Sequence, residues 1–350
     1  AAYGGGVDGT TEFRTLLLPS NDSKHLHPQS CIHSRLSPEM TGTFTLAHIS
    51  DLHLTPILGF GPDHWNVKRS LGYLNWARSR RIVHRLDVAD RLVADMWQQG
   101  ADHVAVTGDI VNLGLPGEFG AALGWLKSVG PPDKVTAIPG NHDIYTRRMS
   151  GPACTEIWCD YLAADDWGAA FAQRAPNLFP FLRRVGPLAL IGVNSAIPTR
   201  PLVAAGRVGA EQLAVLEDCL LRLKHENCLR VVLIHHPPLP GQTAPRRALQ
   251  DADAMAALLT KCGADLVLHG HNHRDSLVWH PSKPDPVPVV GVASGSAART
   301  HGPEPLGRYN LFRISREGIE MTIRGLGDVG GGVVEIARFP LQPAAHPQFT

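Results

Sequence analysis

The chain has 350 residues, 43% of them hydrophobic, with 33 Lys and Arg against 32 Asp and Glu. That is enough for one large domain or two small ones with a substantial core. The formal net charge of +1 argues against a general nucleic-acid binder or a protein that seeks acidic partners. No apolar run reaches the roughly 18–20 residues that cross a bilayer, and no charged-then-apolar signal-peptide pattern is seen. The six cysteines (Cys31, Cys154, Cys159, Cys219, Cys228 and Cys262) form no CxxC pair, so they read as reduced thiols of a cytoplasmic protein.

Residues 1–39 carry no sustained period and read as a disordered or non-native arm ahead of Met40. From there the pattern is strand, polar loop, helix, repeated. Strands are expected at 44–50, 102–108, 134–140, 187–195, 229–235 and 264–270. Helices are expected at 81–100, 116–130, 152–175, 209–226 and 251–263. Beyond Ser276 the chain turns mostly to strands, and residues 326–350 read as a closing strand with a loose end. Alternation followed by a β-rich tail predicts an α/β fold of two stacked sheets with helices outside. Ligands of such folds gather at the carboxyl ends of the strands.

The polar clusters lie at those ends. Asp51 and His53 follow the first strand, two residues apart, and would share a side if the strand continued. Asp109 ends the second, and Asn141 and His142, in Gly-Asn-His-Asp, end the third. His235 ends a later strand, with His236 as the alternative; His271 and His273 end the next. Gly140 reads as the residue that allows a sharp turn. Carboxylate, amide and imidazole donors together suit Mn, Fe, Zn or Co. Each cluster alone is ordinary loop chemistry; five in this order at five strand ends are not. His48 and His269 either line the site or pack within strands. Asp143 either orients a neighbour or caps a helix.

The set "SDLH", "TGDI", "PGNHD", "IHHPP" and "HGHNH" resembles the calcineurin-like metallophosphoesterases over roughly residues 50–275. Bacterial cyclic-nucleotide and glycerophosphodiester phosphodiesterases are similar in these motifs. The resemblance implies a four-layer αββα sandwich of two mixed sheets over residues 40–325, two divalent ions (Mn, Fe or Zn) and a metal-activated water. It implies Asp51, His53 and His273 on one ion, Asn141, His235 and His271 on the other, and Asp109 between them. His142 would stand beside the leaving-group oxygen. Asn112, three residues after Asp109, stands where purple acid phosphatases carry a tyrosine ligand, which argues against that branch.

Residues 56–86 mix aromatic and basic side chains and read either as an ordinary amphipathic helix or as a cap over the site. As a cap, they would offer Trp65, Arg78 and Arg81 to the substrate. The expected activity is hydrolysis of a phosphodiester. The alternatives are cleavage of a UDP-diacylglucosamine-type lipid diphosphate, a nuclease, or a metal-binding scaffold without turnover. The expected partner is a phosphate-ester small molecule or lipid-linked substrate, with a peripheral membrane contact and no nucleic acid.

Overall fold

The computed structural model describes residues 36, 42–146, 150–172 and 178–342. Its layering follows from period-two alternation. In Leu229–Leu233, the residues Leu229, Val231 and Leu233 enter one core, while Val232 enters another. Leu188 and Leu190 divide from Ala189 and Ile191 in the same way, as do Leu266 and Leu268 from Val267. A strand buried on both faces lies between two apolar layers.

There are two six-stranded mixed sheets. The first runs in the order β12 (Val333–Pro340), β11 (Gly318–Leu326), β10 (Arg308–Ser315), β1 (Phe44–Ile49), β2 (His103–Val106), β3 (Val135–Ala137). Here β1, β2 and β3 are parallel, and β10 pairs with β1 antiparallel. The second runs β4 (Phe181–Val185), β5 (Leu188–Gly192), β6 (Leu229–Leu233), β7 (Leu266–His269), β9 (Val287–Gly291), β8 (Ser276–His280). Its four middle strands, from β5 to β9, are parallel. The inner faces of the two sheets share one core. The helices Leu86–Gln98 and Pro116–Val129 contribute to that core from the first sheet's side, and Ala210–Arg222 and Ala252–Cys262 form the second core against the other sheet. This is the expected architecture of two mixed sheets with helices outside.

Several boundaries differ from the sequence reading. The helix expected at 81–100 starts at Leu86, because His84 and Arg85 are extended. The helix expected at 152–175 is broken into Ser150–Ile157, Cys159–Leu162 and Asp166–Ala169. Strand β4 was not expected; its Arg183 interrupts the apolar alternation. That side chain donates to the carbonyls of Ala163, Pro132 and Val135, so a buried guanidinium ties the strand to its neighbours. Residues 1–39 lie outside the described residues except for Leu36, which is buried in the first core. The tail's closing strand is β12, along β11. The five described cysteines are free, and no helix among the described residues is long and apolar enough to cross a membrane.

Candidate metal centre

The carboxyl ends of β1, β2, β3, β6 and β7 meet at one edge of the sandwich. The side chains do not converge by strand alternation, as the sequence pattern suggested. Strand β1 stops at Ile49. Asp51, His53, Asp109, His271 and His273 all take positive φ, between 43° and 70°. A left-handed backbone is uncommon for residues with a Cβ. Only two other non-glycine residues among those described share it, Leu178 and Leu202. Backbone strain held at five neighbouring positions marks a functional site.

Gly140 opens the expected turn, its carbonyl accepting from the Asp143 N–H at 3.1 Å, although its φ is not positive. A Cβ there would stand 2.2 Å from Asp109 Oδ1, and one on Gly108 would stand 2.4 Å from the Gly140 nitrogen. The two glycines let the β2 and β3 loops touch. Asp143 then fastens them: its carboxylate accepts from the backbone N–H groups of Asp109 and Gly140 at 2.8 Å, and of Ile110 and Val111 at 3.0 Å. Burial and the charge of Asp109 push the Asp143 pKa up, against those four donors. Asp143 is thus an anchor of the loops, neither a helix cap nor a partner of the His142 ring.

Four imidazoles fix the direction of their ring nitrogens through outer partners. His53 Nδ1 donates to the Val111 carbonyl at 3.4 Å and His235 Nδ1 to the Thr107 carbonyl at 2.7 Å. His271 Nε2 donates to the Arg247 carbonyl at 3.0 Å, and His273 Nδ1 bonds to Glu304 Oε2 at 3.1 Å. The inner nitrogens then face each other. His53 Nε2 and His273 Nε2 are 3.2 Å apart, and His235 Nε2 lies 3.3 Å from His271 Nδ1 and 3.2 Å from Asn141 Oδ1. Asp109 Oδ2 is approached from both sides, 3.9 Å from His53 Nε2 and 3.4 Å from His235 Nε2. Its other oxygen accepts the backbone N–H of His142 at 2.7 Å. Asp51 Oδ1 is 3.3 Å from His273 Nε2, yet is buried without a well-formed hydrogen bond.

Lone pairs that converge around a shared carboxylate, with each ring's far nitrogen tied down, fit metal ions. The clusters His53, Asp109, His142 and Asp109, His235, His271 have donor atoms within 4.8 Å of one another, as does His53, His84, His273. The charge balance points the same way. Burial disfavours ionisation of Asp109 and Asp51, but His235 and His273 respectively hold both below the ordinary carboxylate range. Such a site favours positive charge.

The remaining expected residues fall as follows. His235 faces the site, while the His236 ring turns to Ser195 Oγ at 2.8 Å and the Ala204 carbonyl at 3.2 Å. His48 bonds to Thr107 Oγ1 at 2.9 Å and His269 packs beside Gly291; both are strand-packing residues. His142 Nδ1 donates to the Asn112 carbonyl. Burial and the Arg80 charge lower its pKa to about 3, so the ring is neutral. Asn112 donates its side-chain amide to Leu54.

A cleft of about 610 Å³ opens over the centre, lined on one side by Lys68, Arg78, Arg80 and His84 and on the other by Arg247 and Glu304. The segment expected as a cap at 56–86 thus lines one side of the cleft, between Lys68 and His84. Of the three cap residues expected at the substrate, Arg78 lines the cleft. Arg81 points to solvent, and Trp65 is 67% exposed, stacked on Phe60 away from it. The helix Val67–Asn75 carries Trp65 before its start, on the outer side. Arg81 lies one residue beyond a π-helical turn, Trp76–Arg80, that rotates Arg80 inward instead. Glu304 and Arg247 were missed, because they sit in segments without motif or period, and His84 because it was read as part of the helix at 81–100.

A family model for calcineurin-like phosphoesterases matches residues 44–275, more than half of the chain. Among solved structures, a dimetal phosphatase from the zebrafish Danio rerio is 14% identical with TM-score 0.53; the alignment covers 85% of this chain and 99% of that one. A purple acid phosphatase from yellow lupin (Lupinus luteus) is 13% identical with TM-score 0.51, over 85% of this chain but 54% of the lupin chain. At these identities the likeness concerns the fold. No curated protein matches the sequence.

Proposed function

The chain belongs to the calcineurin-like phosphoesterase family, and from that premise we propose that it hydrolyses phosphodiesters at a centre of two divalent ions. Asp51, His53 and His273 would hold one ion, Asn141, His235 and His271 the other, and Asp109 both. The observation that carries the reading is Asp109 Oδ2, approached by His53 from one side and His235 from the other. Bound there, two ions neutralise phosphoryl oxygens and supply a nucleophile from water at neutral pH. Mn, Fe and Zn all accept this mixture of oxygen and nitrogen donors.

The chain's own residues do the rest. Asn141 adds a ligand without adding charge. Asp143 keeps Asp109 and the β3 loop in register. His142 borders the reaction space with its ring edge. The cap excludes bulk water and selects the substrate. A second reading, an amphiphilic diphosphate, is favoured by Leu71, Leu74 and Leu202, exposed apolar side chains at the cleft.

The test is hydrolysis of an aryl phosphodiester and the matching monoester, with Mn²⁺ or with chelator, by wild type and Asn141→Ala. The expected result is a metal-dependent rate, faster on the diester, falling about 100-fold in the variant. A faster monoester would overturn the diester preference. Full metal content with no turnover of either ester, nor of a lipid diphosphate, would favour the scaffold reading.

A further inference from the structure

Arg80 is a cation lining the cleft that the family motifs do not supply. It lies on the π-helical turn Trp76–Arg80, a distortion frequent at functional sites. Its Nη1 stands 3.0 Å from His142 Nε2 and 3.2 Å from Nδ1. Because Nδ1–H is committed to the Asn112 carbonyl, Nε2 is the ring's acceptor, and Arg80 donates to it. No carboxylate or carbonyl takes any other Arg80 hydrogen bond among the described residues. A guanidinium carries five N–H donors in a fixed fork, so most of them remain open, and the side chain lines the cleft.

The surroundings say what those donors lack. Burial disfavours the Arg80 charge, and Asp109, Tyr145, Asp51 and Glu304 favour it through space, but the two aspartates are candidate metal ligands and Glu304 bonds to His273. Ions at the centre would cancel the aspartates' attraction and leave a desolvated guanidinium beside two cations. Such a charge needs an anion of its own. The fork matches two oxygens of one phosphoryl group. His142 holds it from behind, and Tyr145 stacks on His142 with ring centroids 5.4 Å apart.

We propose that Arg80 is a catalytic residue delivered by the cap, donating N–H groups to non-bridging phosphoryl oxygens on the side away from the metal ligands. His142 is then a positioning residue for Arg80, its ring set by Asn112. The proposal rests on the phosphoester reading of the site. It implies that turnover requires this segment in place, since the segment that lines the cleft carries the group.

The experiment compares metal-loaded wild type with Arg80→Ala and Arg80→Lys, reading bound metal, steady-state rates and orthophosphate affinity by calorimetry. Arg80→Ala should keep its metal, lose about 100-fold in kcat and bind orthophosphate at least tenfold more weakly. Added guanidinium ion should restore part of the lost rate, whereas the same concentration of NaCl should not. Arg80→Lys should fall between, because an ammonium cannot form the fork. Unchanged phosphate affinity and rate would overturn the proposal, as would loss of metal in step with activity. In unsubstituted protein, orthophosphate should shield Arg80 from phenylglyoxal, and equal modification with and without it would also overturn it. If wild type hydrolyses no ester but phosphate affinity still depends on Arg80, the anion site stands and the phosphodiesterase reading fails.

Discussion

Among single residues, protons and metal ions compete for the same lone pairs. Burial opposes the imidazolium of His235 and of His273, yet Asp109 and Asp51 respectively outweigh it and raise both pKa values to about 9 in the metal-free protein. The sign follows from the raised folded values: the contribution of these two protons to stability is complete below the ordinary histidine range and is lost as pH rises through about 9. Near pH 7, metal uptake should therefore expel about two protons per chain, and affinity should tighten as pH rises towards 9. Calorimetry in two buffers of different ionisation enthalpy measures that number; a value near zero would contradict the arrangement. Most of these ligand positions were legible as residue types ending strands. The left-handed backbone at Asp51, Asp109 and His271 was not, since no glycine announces it. Nor was the role of Asp143, whose carboxylate binds backbone groups that carry no sequence signature.

The cap is a local element with two differently dressed faces. Asn66 caps the helix Val67–Asn75 by accepting from the Arg69 N–H at 2.9 Å. Buried Arg69 pins that helix to the β2 loop through the Leu113 and Gly114 carbonyls, at 3.2 and 2.7 Å. Gly72 admits the Tyr145 hydroxyl, which a Cβ would meet at 2.5 Å. The inner face bears Lys68, Arg78 and Arg80, and the outer one bears Trp65 and Arg81. Arg78→Ala should thus raise KM for an anionic substrate about tenfold, the value of one charge-assisted hydrogen bond. Arg81→Ala and Trp65→Ala should change it less than about twofold, as surface substitutions do. Comparable effects of all three would refute this division of faces. Composition located the insertion but not its facing, because a π-helical turn shifts the angular phase by one residue and so replaces Arg81 with Arg80.

The whole molecule joins its two sheets at the candidate centre. Asp51, His53, Asp109 and Asn141 follow strands of the first sheet, and His235, His271 and His273 follow strands of the second. Each ion would therefore cross-link the sandwich. At free metal a hundred times Kd the gain is about 2.7 kcal/mol per ion, so removing both ions should lower Tm by roughly 7 °C at about 2.1 cal/mol/K of unfolding entropy per residue while the protein still unfolds in one transition. A calorimetric scan with and without chelator checks this, and an unchanged Tm would mean that the folded chain does not hold the ions. Alternating elements made the two-sheet architecture legible. The partners of each strand were not, because pairing across hundreds of residues depends on packing that no local window contains.

That pairing also sets an order in time. Strand β1 lies between β2 and β10, with Ala47 opposite Leu311. A chain emerging from the ribosome offers β1, β2 and β3 early and β10 only after the entire second sheet has been made. Until then β1 has an unpaired apolar edge, and the half of the first sheet already synthesised cannot close. The second sheet is written as an insertion within the first. Between the making of β3 and of β10, the first sheet therefore presents a strand edge prone to pairing with other chains.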